Sequence, residues 1–135
     1  MTVPRPLWFL LAAALTLRII YCWGLSPYSR AEPVFNVDNY HPLAQSVRSS
    51  GRLHLEGRPS AKREPLYPIV LAAAYAVGGE SYDAVWVMHC LLGAATVAAV
   101  FALAMSLFGP AEAWLAAGLA AVYPQFLYYT AFPGR

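Results

Sequence analysis

The sequence predicts an all-α, polytopic membrane protein, and three observations predict it. Hydrophobic residues make up 59% of the 135-residue chain. Charged residues make up only 12%, where a soluble domain carries about 25%. The apolar residues gather into long runs, and the mean hydropathy is +0.48. These figures exclude a disordered chain, which is poor in apolar residues. A net charge of +2 is no footprint of a nucleic-acid binder, which needs a basic stripe along one face. Cys22 and Cys90 both lie in apolar runs. They read as small buried hydrophobes, not as part of a disulfide or zinc framework.

The first apolar run, 7–25, has 19 residues and one interruption, Arg18. As a helix it reaches about 28 Å, close to the hydrocarbon thickness of a bilayer. Arg5 and Leu7–Leu17 outline a signal peptide, but the bulky run Ile19-Ile20-Tyr21-Cys22-Trp23 is no cleavage site. The reading is an uncleaved transmembrane helix with Trp8 and Trp23 at its two interfaces. Arg18 stands about two turns from the loop end, so it either snorkels or faces a cavity.

Residues 26–83 form a loop that holds most of the charge. It contains two predicted surface helices. In 39–50, Tyr40, Ala44 and Val47 recur at helical spacing, while His41, Gln45, Arg48 and Ser49 face elsewhere. Asn39 is the predicted N-cap, which puts Pro42 in the first turn, and Gly51 is the predicted stop. The run 66–77 is apolar throughout, opened by Pro65 and Pro68 and closed by Gly78-Gly79. At 12 residues it is too short to span and reads as interfacial. Tyr67, Tyr75 and Tyr82 read as interfacial anchors.

Two further transmembrane helices follow, 84–107 and 113–132, joined by a turn at Gly109. His89 is the one ionisable blemish in the first, and a hydrogen bond between helices is its plainest role. Pro124 kinks the second, because it removes a backbone donor. Three spanning helices around so polar a loop, ending at Arg135, read as the N-terminal part of a larger membrane protein.

The loop offers two chemical features. Asp38 either caps the first surface helix or, with Asn39 in the cap position, is left as a general base beside the membrane. Arg58, Lys62 and Arg63 lie in a short proline-bounded stretch and suit a lipid phosphate or pyrophosphate. Arg63 is the sharper candidate, because the two prolines, Pro59 and Pro65, fix the backbone beside it; non-specific attraction to anionic headgroups is the alternative for Arg58 and Lys62. Asn39, Tyr40, His41, Arg18 and His89 are candidate lining residues. No metal ligand set is assigned.

The ordered set of motifs resembles a known group. Leu17-Arg18 ends the first helix, and Asp38-Asn39-Tyr40 opens the loop. Arg63-Glu64-Pro65-Leu66-Tyr67-Pro68, Gly78-Gly79, Leu91-Leu92-Gly93-Ala94, Leu107-Phe108-Gly109 and Ala120-Ala121-Val122-Tyr123-Pro124 follow in order. This is similar to the N-terminal part of the type-C glycosyltransferases, in the dolichyl-phosphate-mannose protein mannosyltransferase and aminoarabinose transferase group. The resemblance implies a polyprenyl-phosphate-linked sugar donor and transfer to an acceptor on the extracytoplasmic face. It implies a catalytic carboxylate at Asp38 and a donor-phosphate contact at Arg63, with Lys62 beside it. Metal use varies within the group, so a divalent cation is left open. Two departures stand out: Asn39 replaces a second acidic residue, and Glu64 interrupts the common Arg-Pro-Pro. The implied topology is a multi-pass protein of the plasma (inner) membrane with a cytoplasmic N-terminus. Charge bias opposes it, since the loop before the second surface helix holds six basic residues and the N-terminal stub one. The competing reading is a small non-enzymatic scaffold whose basic loop binds anionic lipid.

Overall fold

The computed structural model describes residues 5–25, 39–55, 58–59 and 64–131. Six helices carry nearly all of it: α1 Arg5–Ile20, α2 Tyr40–Ser50, α3 Leu66–Gly78, α4 Tyr82–Leu107, α5 Pro110–Val122 and α6 Pro124–Ala131. One π-helical turn, Tyr21–Leu25, prolongs α1. Two-residue strands β1 His54–Leu55 and β2 Arg58–Pro59 pair antiparallel, with His54 opposite Pro59 and Leu55 opposite Arg58. The fold is all-α, with α2 and α3 in the loop between the two long apolar helices.

Among the described residues, two stretches are long and apolar enough to cross a membrane, Pro6–Leu25 and Tyr82–Leu107. The segment expected as one helix over 113–132 is two. Tyr123 is extended, at φ −61° and ψ 119°, and Pro124 opens α6. The cause is local: a proline ring disfavours the helical conformation of the residue before it and offers no N–H to the preceding turn. The kink expected at Pro124 is therefore a full break.

By packing, the chain forms two units. The first combines 5–25 with 89–131. Its core is mostly alanine: Leu7 and Ala14 of α1, Val97, Phe101 and Ala104 of α4, and Ala113, Ala117, Ala120 and Ala121 of α5. Phe101 meets Trp114 edge to face at 4.9 Å. Alanines at this spacing let helix backbones approach closely, which is how helices associate where no water drives them together.

The second unit takes in the described residues between 39 and 88. Here α2 packs on α3 through Leu43 and Ala44 on one side and Leu71, Ala72 and Tyr75 on the other, all buried. Gly51 ends α2 at φ 68°, its N–H bonded to the Val47 carbonyl at 2.8 Å. Gly79 ends α3 at φ 75°, bonded to the Tyr75 carbonyl at 3.0 Å. Both take a positive φ, which glycine adopts without strain. Asn39 precedes α2 at φ 62° and makes no side-chain capping bond. It occupies the predicted position but serves through its tolerance of left-handed backbone instead of its amide.

Tyr75 and Tyr82 are buried, so they are packing residues and not interfacial anchors. Leu43→Ala should cost about 2–4 kcal/mol, read as loss of amide-exchange protection across α2 and α3. Ser49→Ala, on the exposed side of α2, should change protection by less than about 0.5 kcal/mol.

Candidate functional site

Asp38, Lys62 and Arg63 lie outside the described residues, so the site is built from what flanks them. Tyr40, two positions after Asp38, donates its phenol O–H to Glu64 Oε2 at 2.9 Å. Its ring meets Tyr67 edge to face, with centroids 4.8 Å apart. The start of α2 is thus latched to the chain that leads into α3. An aromatic pair of this geometry contributes about 0.5–1.5 kcal/mol beyond its buried area, and a hydrogen bond to a charged group about 1.5–3 kcal/mol. Exposure of the Tyr40–Glu64 bond puts its contribution at or below the bottom of that range.

One residue on, His41 Nδ1 shares a hydrogen bond with the Tyr75 hydroxyl at 3.1 Å. Their rings meet edge to face at 5.5 Å. His41 therefore faces α3, not away from it as its place in the helical repeat implies. The hydroxyl of Tyr75 draws it inward, and the buried phenol gains a partner that it needs. Further along the same face of α2, Gln45 and Arg48 both donate to the Glu80 carboxylate, at 2.9 and 3.1 Å. That pair is exposed and adds little stability. Ser46 Oγ donates to the Arg52 carbonyl and accepts from the His54 N–H, which ties β1 to α2. Arg58 is exposed on β2.

Burial holds the Tyr67 phenol well above its ordinary pKa, with Tyr40 adding to the effect. The Tyr75 phenol is also raised, first by burial and then by Tyr67, Glu80 and Tyr82.

Arg18 and His89 belong to the first unit. Arg18 is fully buried, at 0% exposure. Its Nη1 donates to the carbonyls of Ala14 at 3.0 Å and Ala121 at 3.4 Å. The side chain thus runs back along α1, away from the loop end, and does not snorkel. Gly93 of α4 faces it so closely that an added Cβ would collide with Arg18 Nε. His89 Nδ1 bonds to the Thr130 carbonyl at 2.9 Å, which makes that nitrogen the donor. Both residues line one cavity of about 210 Å³, with Thr96, Tyr129 and Thr130. Among the described residues, no three His, Cys, Asp or Glu side chains come together as a metal group.

Residues 59–133 match the sequence profile of the dolichyl-phosphate-mannose-protein mannosyltransferases. That is more than half of the chain. The chain belongs to this family. Members of the dolichyl-phosphate-mannose-protein mannosyltransferase family are integral membrane proteins that transfer sugar from polyprenyl-phosphate-linked donors. No curated protein and no solved structure matches this chain. The family match takes in Lys62, Arg63, Glu64 and His89, whereas Arg18, Asp38, Asn39, Tyr40, His41 and Arg58 precede it.

Sequence reasoning missed Glu64 as a latch residue, Tyr75 as the partner of His41, and Gly93 as the seat of Arg18. A glycine inside an apolar helix was the available signal for the last, since it marks close approach by a neighbour.

Two tests follow from this geometry. Gly93→Ala should lower thermal stability by about 1–3 kcal/mol, because Arg18 must shift. Gly118→Ala, with open space around its site, should be neutral or stabilising; melting curves in detergent compare the two. Tyr67 and Tyr75 favour the neutral phenol in the folded state, so their contribution is complete below about pH 10 and falls as pH rises through their raised values. In an ultraviolet titration they should ionise after the exposed tyrosines. Tyr75→Phe should remove one late component and cost about 1 kcal/mol through the lost His41 bond.

Proposed function

We propose that this protein transfers a sugar from a polyprenyl-phosphate-linked donor to an acceptor on the extracytoplasmic face of the plasma (inner) membrane, as the front part of a larger enzyme. The family match over 59–133 carries this reading. In it, the N-terminus is cytoplasmic, and 26–83 is the external loop that holds α2 and α3. A loop that grips lipid phosphate has its own reason to be basic, which offsets the opposing charge bias.

Transfer from a sugar phosphate needs a base for the acceptor hydroxyl and cations for the departing phosphate. Asp38 is the base in this reading. Arg63 holds the phosphate through its forked donors, and Lys62 and Arg58 add charge. The Tyr40–Glu64 latch supports the pairing, because it joins the residue two positions after Asp38 to the residue directly after Arg63. With Asn39, Tyr40 and His41 at the start of α2, the base and the phosphate-binding cation enter the site from two strands of chain tied together. The acceptor proton goes to Asp38, the acceptor oxygen bonds to the sugar carbon, and the bond from that carbon to the phosphate oxygen breaks.

In the complete protein, Asp38→Asn should abolish transfer to a membrane acceptor while leaving membrane insertion intact. Arg63→Gln should raise the KM for donor about tenfold or more, the loss of one charge-assisted bond. Near-normal turnover by Asp38→Asn would overturn the assignment of the base; no transfer by the complete protein, with lipid binding equally sensitive to charge reversal anywhere in the loop, would return the scaffold in place of the enzyme.

A further inference from the structure

We propose that Cys22 and Cys90 form a reversible disulfide that staples the end of the first membrane helix to α4. Both are free thiols, and both are buried, at 1% and 2% exposure. The packing of the first unit brings them together. Leu7, Ala14, Arg18 and Cys22 make one buried stripe along α1 and its π-helical turn. Cys90, Val97, Phe101 and Ala104 make a buried stripe along α4. The register between the two follows from Gly93, which seats the Arg18 side chain. One turn beyond Arg18 stands Cys22, and one turn before Gly93 stands Cys90. The two thiols meet there and share a hydrogen bond. A glycine at the contact lets helix backbones approach closely. A disulfide needs that approach, since its Cα atoms stand about 4.4–6.8 Å apart. Their positions inside apolar runs hide the pairing from sequence, because disulfide frameworks are read from cysteine spacing in small secreted chains.

The step is thiol–disulfide exchange, and the oxidant is a disulfide. One cysteine sulfur, as thiolate, attacks the oxidant; an S–S bond forms to it, and the other half of the oxidant leaves as a thiol with the proton. The second cysteine sulfur then attacks this mixed disulfide, which forms the Cys22–Cys90 bond and releases a second thiol. Two cysteine thiols are oxidised and one disulfide is reduced to two thiols, so electrons and protons balance. Arg18 lies within electrostatic reach of both sulfurs, and a neighbouring cation favours an attacking thiolate. The bond closes a ring of chain that contains all of 26–83, so it joins the two roots of the charged loop. Under the orientation proposed above, this end of both helices lies on the extracytoplasmic side, where disulfides persist. The thiol chemistry itself does not depend on that orientation.

The test treats the full chain with dipyridyl disulfide, an uncharged oxidant that enters apolar phases, in phosphatidylcholine bilayers and in detergent. Each attack releases one thiopyridone, read by its absorbance, and intact mass reports what stays on the protein. The expected result is two thiopyridones per chain and a protein mass lower by two hydrogens, reversed by dithiothreitol. Peptide mapping without reductant then finds Cys22 joined to Cys90. Cys22→Ser should stop at the mixed disulfide, with one thiopyridone released and one retained. A pyridyl adduct retained on the natural chain, a disulfide between two chains, or no release in either medium overturns the pairing.

Discussion

Backbone polar groups in an apolar environment have no water to turn to, and the rest of this structure follows from that constraint. Each N–H and C=O needs a partner inside its own segment, which only a helix supplies without a neighbouring strand. Apolar runs therefore become helices, and the ends of those helices become the places where composition matters. Gly51, Gly79 and Gly109 take the positive φ that their turns require. Pro124, with no donor to give, splits what hydropathy alone reads as one span. The second half of that segment is left as an eight-residue helix whose Thr130 carbonyl holds His89.

The same constraint explains how each unit treats its polar side chains. In the first, Arg18 satisfies one nitrogen on carbonyls that α1 and α5 already present, and Gly93 leaves the space in which its stem can lie. In the second, burial is shallower and the polar groups pair with each other: Tyr40 with Glu64, His41 with Tyr75, and Glu80 with both Gln45 and Arg48. These contacts bridge 24 to 35 residues of sequence. They hold together a loop whose two-residue strands are far too short to do so alone.

For a mannosyltransferase family member, this division of labour suits transfer at a membrane surface. A hydrogen-bonded pair of helices carries the polar contacts of the second unit, and closely packed alanine-lined helices make up the first. Under the proposed assignment the latch has a role of its own, because orienting a base against a leaving group is a question of position before charge.

Periodicity and punctuation were enough to place α2 and α3, since amphipathic spacing and glycine stops are local properties that do not depend on neighbours. Composition alone identified the membrane class, and an ordered set of short motifs identified the family. What tertiary structure decided is direction. Arg18 had two equally open courses, toward the interface or into the protein, and the carbonyl of Ala121, 103 residues away, settled it. His41 sat on the polar side of its helical repeat until the Tyr75 hydroxyl, brought in by α3, gave it a partner. Glu64 looked like a flaw in a motif until Tyr40 bonded to it. In each case the side chain's orientation follows from a hydrogen-bonding group on another helix. A pattern of residues along one chain fixes which face a side chain shares, but not what waits across from it.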